Sequence, residues 1–363
     1  MRKKRVYIDI FYYKTALSGI KTYIEELINA IRDHGSCEID YIISHDISTL
    51  VNNQFFINSK FRLVRWIFQL RYLIWKQLFL PIILHRKKID YLICPDYVSP
   101  IFSPSKKIVV IHDNLFWKYP QNYPKLWRKY FIGLIKAGID KKTQIVTISN
   151  YSKDGLSDFF KKDSIKVIYQ SSENAASNIK IYSKKYITHV GTFERRKDLL
   201  TLVKAYKKIT DNGHCKYDLV LAGSTFINGS HKVYNEIKNY INEHGLETNI
   251  IIPGYISKNE ILKLYSESMV YVFPSIDEGF GIPLIEAMKF GVPVICSDIE
   301  IFKEIGKDST LYFKVGDEND LFEKLRTLLK NEELRKDLIN SGKQNIKRFN
   351  RKNFIKEFEK IYK

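Results

Sequence analysis

Pro274-Ser-Ile-Asp-Glu-Gly-Phe-Gly-Ile-Pro-Leu-Ile-Glu-Ala-Met288 sets two carboxylates, Glu278 and Glu286, eight positions apart around a glycine-rich turn. Val270-Tyr-Val-Phe273 just before it reads as a short strand, and Pro283 suits the first turn of a helix, where a missing N–H costs nothing. Gly279 and Gly281 let a backbone approach a ligand closely. The free N–H groups and positive end of that helix favour a phosphate or a polar sugar. Glu286 is expected in the helix's first turn, where a negative charge is stabilising, so helix stabilisation is one reading of it. The other is that two acceptor-only carboxylates flanking a phosphate turn take the hydroxyls of a sugar nucleotide. Gly291-Val-Pro-Val-Ile-Cys-Ser297 then reads as the next buried strand, giving a strand–helix–strand unit.

This unit resembles the donor site of the retaining glycosyltransferases of family 4, which carry E-G-F-G-x-P-x-x-E-A-M followed by G-x-P-V; the match runs from Glu278 to Val294. The resemblance implies that Glu286 holds ribose hydroxyls and Glu278 the hydroxyls of the donor sugar. It also implies that the backbone of Phe280, Gly281 and Ile282 lies along the phosphates and sugar.

With 363 residues the chain is long for one domain and comfortable for two. A hydrophobic share of 45% supplies full cores and argues against disorder. The net charge of +19 attracts anionic ligands, nucleic acids or anionic membranes without choosing among them. Cys37, Cys94, Cys215 and Cys296 have no metal-ligand spacing, so reduced core cysteines are expected and a metal site is not. The basic start, Met1-Arg-Lys-Lys-Arg5, turns directly into a strand pattern and lacks the apolar core of a signal peptide. No window reaches 18 uninterrupted apolar residues, so no transmembrane helix is expected.

Strand and helix patterns alternate throughout, the mark of parallel sheets covered by helices. Strands are expected near 4–11, 38–44, 89–94, 106–112, 144–148 and 165–169, with helices near 19–32, 64–85, 122–139 and 150–160. The polar Ser171–Asn178 stretch suits a linker. The second half repeats the alternation from strand 185–191 to helix 282–290, and a helical tail runs from Asp317. The fold class expected is α/β of the GT-B kind, two Rossmann-like domains facing each other across a cleft. The first, 1–172, would bind acceptor and the second, 173–347, the nucleotide sugar; a C-terminal helix, 348–363, would pack back on the first.

His189-Val-Gly-Thr-Phe-Glu-Arg-Arg-Lys-Asp-Leu199 opens the second half with a strand, a glycine and a basic cluster. A cation just past a strand end is well placed for a diphosphate; a solvated charged loop is the alternative. The segment is similar to the family's G-T-L-E-P-R-K-N-L, which implies that Lys197, helped by Arg196, neutralises the leaving diphosphate beside Gly191. Thr192 stands where many members carry arginine, and Arg195 or Arg196 could compensate. Ile108-Val-Val-Ile-His-Asp-Asn114 ends a strand in His112-Asp113. It is similar to the family's H-D-L motif, which implies that His112 reaches the donor sugar, with Asp113 orienting the loop or the acceptor. Gly19 resembles the glycine turn that faces the donor from the first domain, and Ser149 reads as a helix cap.

Phe61–His85 interleaves Trp66, Phe68, Tyr72, Trp75 and Phe79 with Arg62, Arg65, Arg71 and Lys76. At about 100° per residue, Arg62, Arg65, Gln69, Lys76 and Gln77 form one narrow polar stripe, with Arg71 nearly opposite. Either the helix is mostly buried with this wet edge, or it lies on an anionic membrane surface.

These readings point to a retaining hexosyltransferase using a nucleotide-diphosphate sugar, with no metal and no further cofactor. The acceptor would be a glycan or polyprenyl-linked, in bacterial surface polysaccharide synthesis, and family members closest to these motifs are often mannosyltransferases. The expected location is the cytoplasm, with peripheral attachment to the inner face of the plasma membrane. Two rivals stand beside it. A glycosidase also uses paired carboxylates but needs no phosphate clamp. A non-catalytic nucleic-acid- or glycan-binding protein fits the charge, yet no RNA-binding aromatic motif or helix-turn-helix pattern occurs, which disfavours nucleic acid as the partner.

Overall fold

The computed structural model describes residues 2–14, 16, 18–47, 62–172, 185–213, 216–225 and 230–362. The chain forms two compact units: Met1–Glu173 with Phe349–Lys363, and Asn174–Arg348. Cys215 and most of the Ser171–Asn178 linker fall outside the described residues, as do the side chains of Arg62, Arg65 and Trp66.

The first unit holds a parallel sheet of β1 (Lys4–Ile8), β2 (Ile39–Ile43), β3 (Tyr91–Cys94), β4 (Lys106–Val110), β5 (Gln144–Thr147) and β6 (Ile165–Val167). Its order is β2-β1-β3-β4-β5-β6. The strands are short apolar runs such as Tyr91-Leu-Ile-Cys94, buried throughout, as a parallel sheet covered on both faces demands. β1 ends at Ile8 rather than at 11, because Phe11–Lys14 coils into a 3-10 turn. Pro124 delays the helix expected from 122, which runs over Lys125–Gly138.

The second unit holds β7 (Tyr186–Val190), β8 (Asp218–Ala222), β9 (Ile250–Gly254), β10 (Ser268–Phe273), β11 (Val294–Ser297) and β12 (Thr310–Phe313). All pair in parallel, in the order β12-β11-β10-β7-β8-β9. Read from its other edge this is the Rossmann order, and the direction in which successive strands are added reverses between β7 and β10, which remain parallel. Ligands in such sheets bind beyond the strand ends at that reversal. A core including Phe193, Leu202, Tyr206, Leu221, Val272 and Ile295 supports it from below.

Helices Glu318–Lys330, Glu332–Asn345 and Arg351–Tyr362 make up the tail. The last belongs to the first unit, where Arg351 pairs with the buried Glu26 of helix Ser18–His34 at 3.1 Å and with Asp33 at 2.9 Å. Ser171 also donates to Glu26, and the Ser172 N–H to the Phe349 carbonyl. Gln170, Ser171 and Ser172 are therefore buried, and the polar stretch expected to be a linker starts inside the first unit.

The Arg62–Arg86 helix departs most from its sequence reading. It is α-helical over Arg62–Ile74, widens to a π turn over Trp75–Phe79, and is α-helical again over Leu80–Arg86. Lys76, expected on the wet edge, is fully buried between Asp9 and Asp96, 2.7 Å from each. Arg71 is exposed instead. Cys37 is likewise exposed rather than in the core, where Cys94 and Cys296 lie.

Candidate functional site

In the second unit the loops after β7 and β10, strands that pair at the reversal, meet. The Ile276 N–H donates to the Arg196 carbonyl at 2.8 Å, tying the basic cluster to the Pro274–Gly281 turn. Arg195–Lys197 forms a 3-10 turn, and Asp198 in a left-handed conformation redirects the chain into helix Leu199–Asp211. This aims Lys197 back over the sheet, its Nζ 4.9 Å from the centre of the Phe273 ring.

Glu278 gathers the cations. Its Oε1 lies 2.5 Å from Lys197 Nζ and 2.8 Å from an Arg196 amino group, and accepts from Ser275 Oγ at 3.0 Å. Arg196 also bridges to Glu194 at 2.9 Å and donates to the Asp277 carbonyl. Burial raises the Glu278 pKa, but Arg196 and then Lys197 outweigh it and bring it down to about 2. Burial in turn lowers that of Lys197, with Glu278 opposing. The result is an ionised, hydrogen-bonded cluster with a cationic arm on each side. Arg195 is no part of it: it is exposed and pairs with Glu236 at 3.3 Å. Thr192, standing where family members often carry arginine, donates to Glu194 at 2.8 Å.

Gly191 lies against His189, whose Nε2 would be 2.8 Å from a Cβ at that glycine, with Lys197 Cε at 3.5 Å. His189 pairs through Nδ1 with the Val272 carbonyl at 3.0 Å, which makes Nε2 the acceptor nitrogen. That nitrogen is buried with no partner among the described residues. Burial first, then the Lys197 charge, pushes the His189 pKa down to about 3. Gly223 closes the loop from the β8 side: a Cβ there would lie 1.7 Å from the Gly191 carbonyl oxygen.

Helix Ile282–Lys289 starts at Gly281, which is left-handed at φ 98° and has Pro283 in its first turn. Any Cβ at Gly281 would be strained and would press on Phe302 at 3.2 Å. Glu286 is the fifth residue of this helix, not a first-turn residue, so the helix-start explanation for it fails. It is partly exposed and accepts from the Tyr265 hydroxyl at 3.2 Å. Phe280 is buried, while Gly281 and Ile282 supply the backbone at the helix start.

Two expected residues lie in the first unit. His112, just past β4, is buried and its Nε2 donates to the Pro95 carbonyl at 2.8 Å. Burial lowers its pKa to about 4, so it is a neutral imidazole at pH 7. Tyr23 and Tyr97 pack on its ring, 4.8 and 5.4 Å between centroids. Asp113 accepts from the Leu115 N–H and hydrogen-bonds the Tyr97 hydroxyl, so it orients its own loop. Gly19 sits inside the first turn of helix Ser18–His34, exposed, with open space where a Cβ would stand. Ser149 accepts from the Ser152 N–H at 3.0 Å and caps its helix.

Sequence reasoning missed His189, Gly223, Tyr265 and Ser275. His189 and Ser275 stood inside quoted motifs, but only the fold shows them touching Gly191 and Glu278. Gly223 carried a signal, a glycine at the end of the apolar run Leu219–Ala222. Tyr265 carried none, since its partner lies 21 positions on. Among the described residues no group of three or more His, Cys, Asp or Glu could hold a metal ion.

The family model for glycosyl transferases group 1 matches residues 170–345. The O-antigen chain mannosyltransferase RfbU of Salmonella typhimurium is 30% identical over 212 residues, 58% of this chain and 57% of that protein. The O-antigen chain mannosyltransferase B of Escherichia coli is 26% identical over 231 residues, 60% and 58% of the two chains. The aligned stretches thus span less than three fifths of those relatives. Anabaena HepE, solved with UDP and glucose, superposes with a TM-score of 0.72 at 15% identity over 99% of both chains, a likeness of fold. The second unit is thus similar to the glycosyl transferases group 1, and the two Rossmann-like units are of the GT-B kind.

Proposed function

We propose that the protein is a retaining glycosyltransferase that moves a hexose from a nucleotide-diphosphate sugar to a glycan or polyprenyl-linked acceptor in bacterial surface polysaccharide synthesis. The observation that carries this reading is the Lys197–Glu278–Arg196 cluster beside the Gly281 helix start, at the reversal point of the second sheet. As the glycosidic bond breaks, negative charge grows on the diphosphate. Lys197, Arg196 and the positive end of the helix that starts at Gly281 are cations and a dipole already in place to meet it. Glu278 shares Lys197 and Arg196 in the free protein, so it holds both cations in position and offers its remaining acceptor capacity to sugar hydroxyls. Glu286, one turn further along the helix, takes ribose hydroxyls. His112, neutral at pH 7, takes a donor-sugar hydroxyl, and Gly19, Gly191 and Thr192 complete the donor-binding set.

The diphosphate charge is met by side chains and backbone, so the design calls for no metal. A glycosidase acid must hold its proton near neutral pH, whereas Glu278 is ionised down to about pH 2. The O-antigen mannosyltransferases among the relatives support a hexose donor and a surface-polysaccharide acceptor. The protein works in the cytoplasm, peripherally attached at the inner face of the plasma membrane.

The test is to incubate the purified protein with UDP-, GDP- and dTDP-hexoses and a polyprenyl-diphosphate-linked sugar, detect product by mass spectrometry and read its anomeric configuration by NMR. Transfer with the donor's configuration kept is expected. Inverted product would overturn the retaining mechanism. Hydrolysis of a simple glycoside without any nucleotide would overturn transfer itself.

A further inference from the structure

The net charge is divided unevenly. Met1–Glu173 with Phe349–Lys363 carries 33 Lys and Arg against 17 Asp and Glu, whereas Asn174–Arg348 carries 26 against 23. Net charges are therefore +16 and +3. The family match covers the nearly neutral unit, so binding a nucleotide sugar there does not account for the basic one.

The basic unit also displays an apolar face. Tyr72, Lys76, Leu80 and Leu84, four positions apart, are all buried on one side of the Arg62–Arg86 helix. Leu70, Leu78 and Ile82 form a matching exposed row on the other, joined by Ile67 and Phe79. In an ideal α-helix a row spaced by four drifts about 40° per step. The π turn at Trp75–Phe79 takes up that drift, so both rows stay straight along the helix. Leu78 is 59% and Phe79 55% exposed. Beside them Ile101 donates to Gln77 at 2.9 Å, and the next residue, Phe102, is 85% exposed.

Charge frames this face. Arg71, Arg86, Lys87 and Lys88 are exposed, and no acidic residue occurs from Arg62 to Ile89. Ile67–Arg86 is long and apolar enough to cross a membrane by length and composition, although Arg71, Lys76 and Arg86 interrupt its apolar run. Its buried row, with Lys76 paired to Asp9 and Asp96, nevertheless ties one side of it to the first unit. A helix with one face held by protein and the other apolar with a basic rim suits the interfacial zone of an anionic bilayer. A protein partner would have to present an apolar strip with an acidic border; a bilayer of acidic phospholipids presents both along any line.

We propose that the exposed row Ile67, Leu70, Leu78, Phe79 and Ile82, with Phe102 and the cations Arg71, Arg86, Lys87 and Lys88, docks the first unit on an anionic phospholipid surface. This deepens the peripheral-membrane part of the reading above and stands apart from the donor site.

The experiment is co-sedimentation of the full chain with phosphatidylcholine vesicles and with vesicles containing phosphatidylglycerol, at low and high salt. Two variants accompany it, Leu78→Ser/Phe79→Ser and Arg71→Glu/Arg86→Glu, changed only at exposed positions. The wild type is expected to bind the anionic vesicles and to be released by salt. Each variant is expected to bind them at least tenfold more weakly, with an unchanged melting temperature. Absence of binding by the wild type, equal binding to neutral and anionic vesicles, or equal binding by the variants would overturn the proposal. So would a dimer in lipid-free solution that the Leu78→Ser/Phe79→Ser change abolishes, since the face would then belong to a second copy. Because nucleotide-sugar binding is read separately, by thermal shift without vesicles, failure of this surface and failure of the donor site are distinguishable.

Discussion

At the scale of single residues the second unit leaves little slack around its site. Gly223 is the sharpest case, because a methyl there would occupy the space of the Gly191 carbonyl oxygen. Gly223→Ala is expected to lower stability by at least about 2 kcal/mol and to weaken nucleotide binding, since the Gly191 turn must move. Denaturant unfolding beside a nucleotide titration checks this, and a variant matching wild type in both would contradict the close approach. Gly281→Ala meets strain and Phe302 rather than backbone, so a loss of about 1 kcal/mol is expected by the same measurement. His189 illustrates what a motif conceals. It stands two positions before Gly191 in sequence, but its buried acceptor nitrogen and its Val272 partner depend on strand pairing.

At the scale of elements most of the fold could be read from the chain. Apolar runs of four to six residues between amphipathic stretches mark parallel strands, and every strand expected in the described residues is present within a few positions. Boundaries slipped where local turns win, as at Phe11–Lys14 and before Lys125. The Arg62–Arg86 helix was misread for a tertiary reason. Periodicity treats lysine as a solvent residue, and nothing local announces that Asp9 and Asp96, 67 positions before it and 20 after it, converge on Lys76. Lys76→Met would leave those two buried carboxylates uncompensated, and a loss of about 3–5 kcal/mol is expected in chemical denaturation. A loss below about 1 kcal/mol would show that the pair contributes little. The Glu278–Glu286 unit was legible because its strand, turn, helix and spacing are contiguous; the partners of Glu278 and Glu286, at Lys197 and Tyr265, are not.

At the scale of the whole molecule, acid should unfold the protein early. His112 and His189 have pKa values held down at about 4 and about 3, so the unfolded chain takes up protons near pH 6.5 that the native state refuses. Stability is full above that range and falls with pH through it, by on the order of 2 kcal/mol per histidine at pH 5. Glu278, held down at about 2, adds a loss that starts near its ordinary value of 4.5 and continues downward. Melting temperatures from pH 8 to 4.5 check the sign, and a flat profile between pH 7 and 5 would contradict the buried neutral histidines. The central claim is that the second unit holds a nucleotide sugar between the Lys197–Arg196–Glu278 cluster and Glu286. Its most direct test is a thermal-shift screen of the wild type, Lys197→Ala and Glu286→Gln against UDP-, GDP- and dTDP-sugars. The account predicts that at least one sugar nucleotide raises the wild-type melting temperature, and that each substitution removes most of that rise. A response unchanged in both variants, or no wild-type response to any of the three nucleotides, would contradict it.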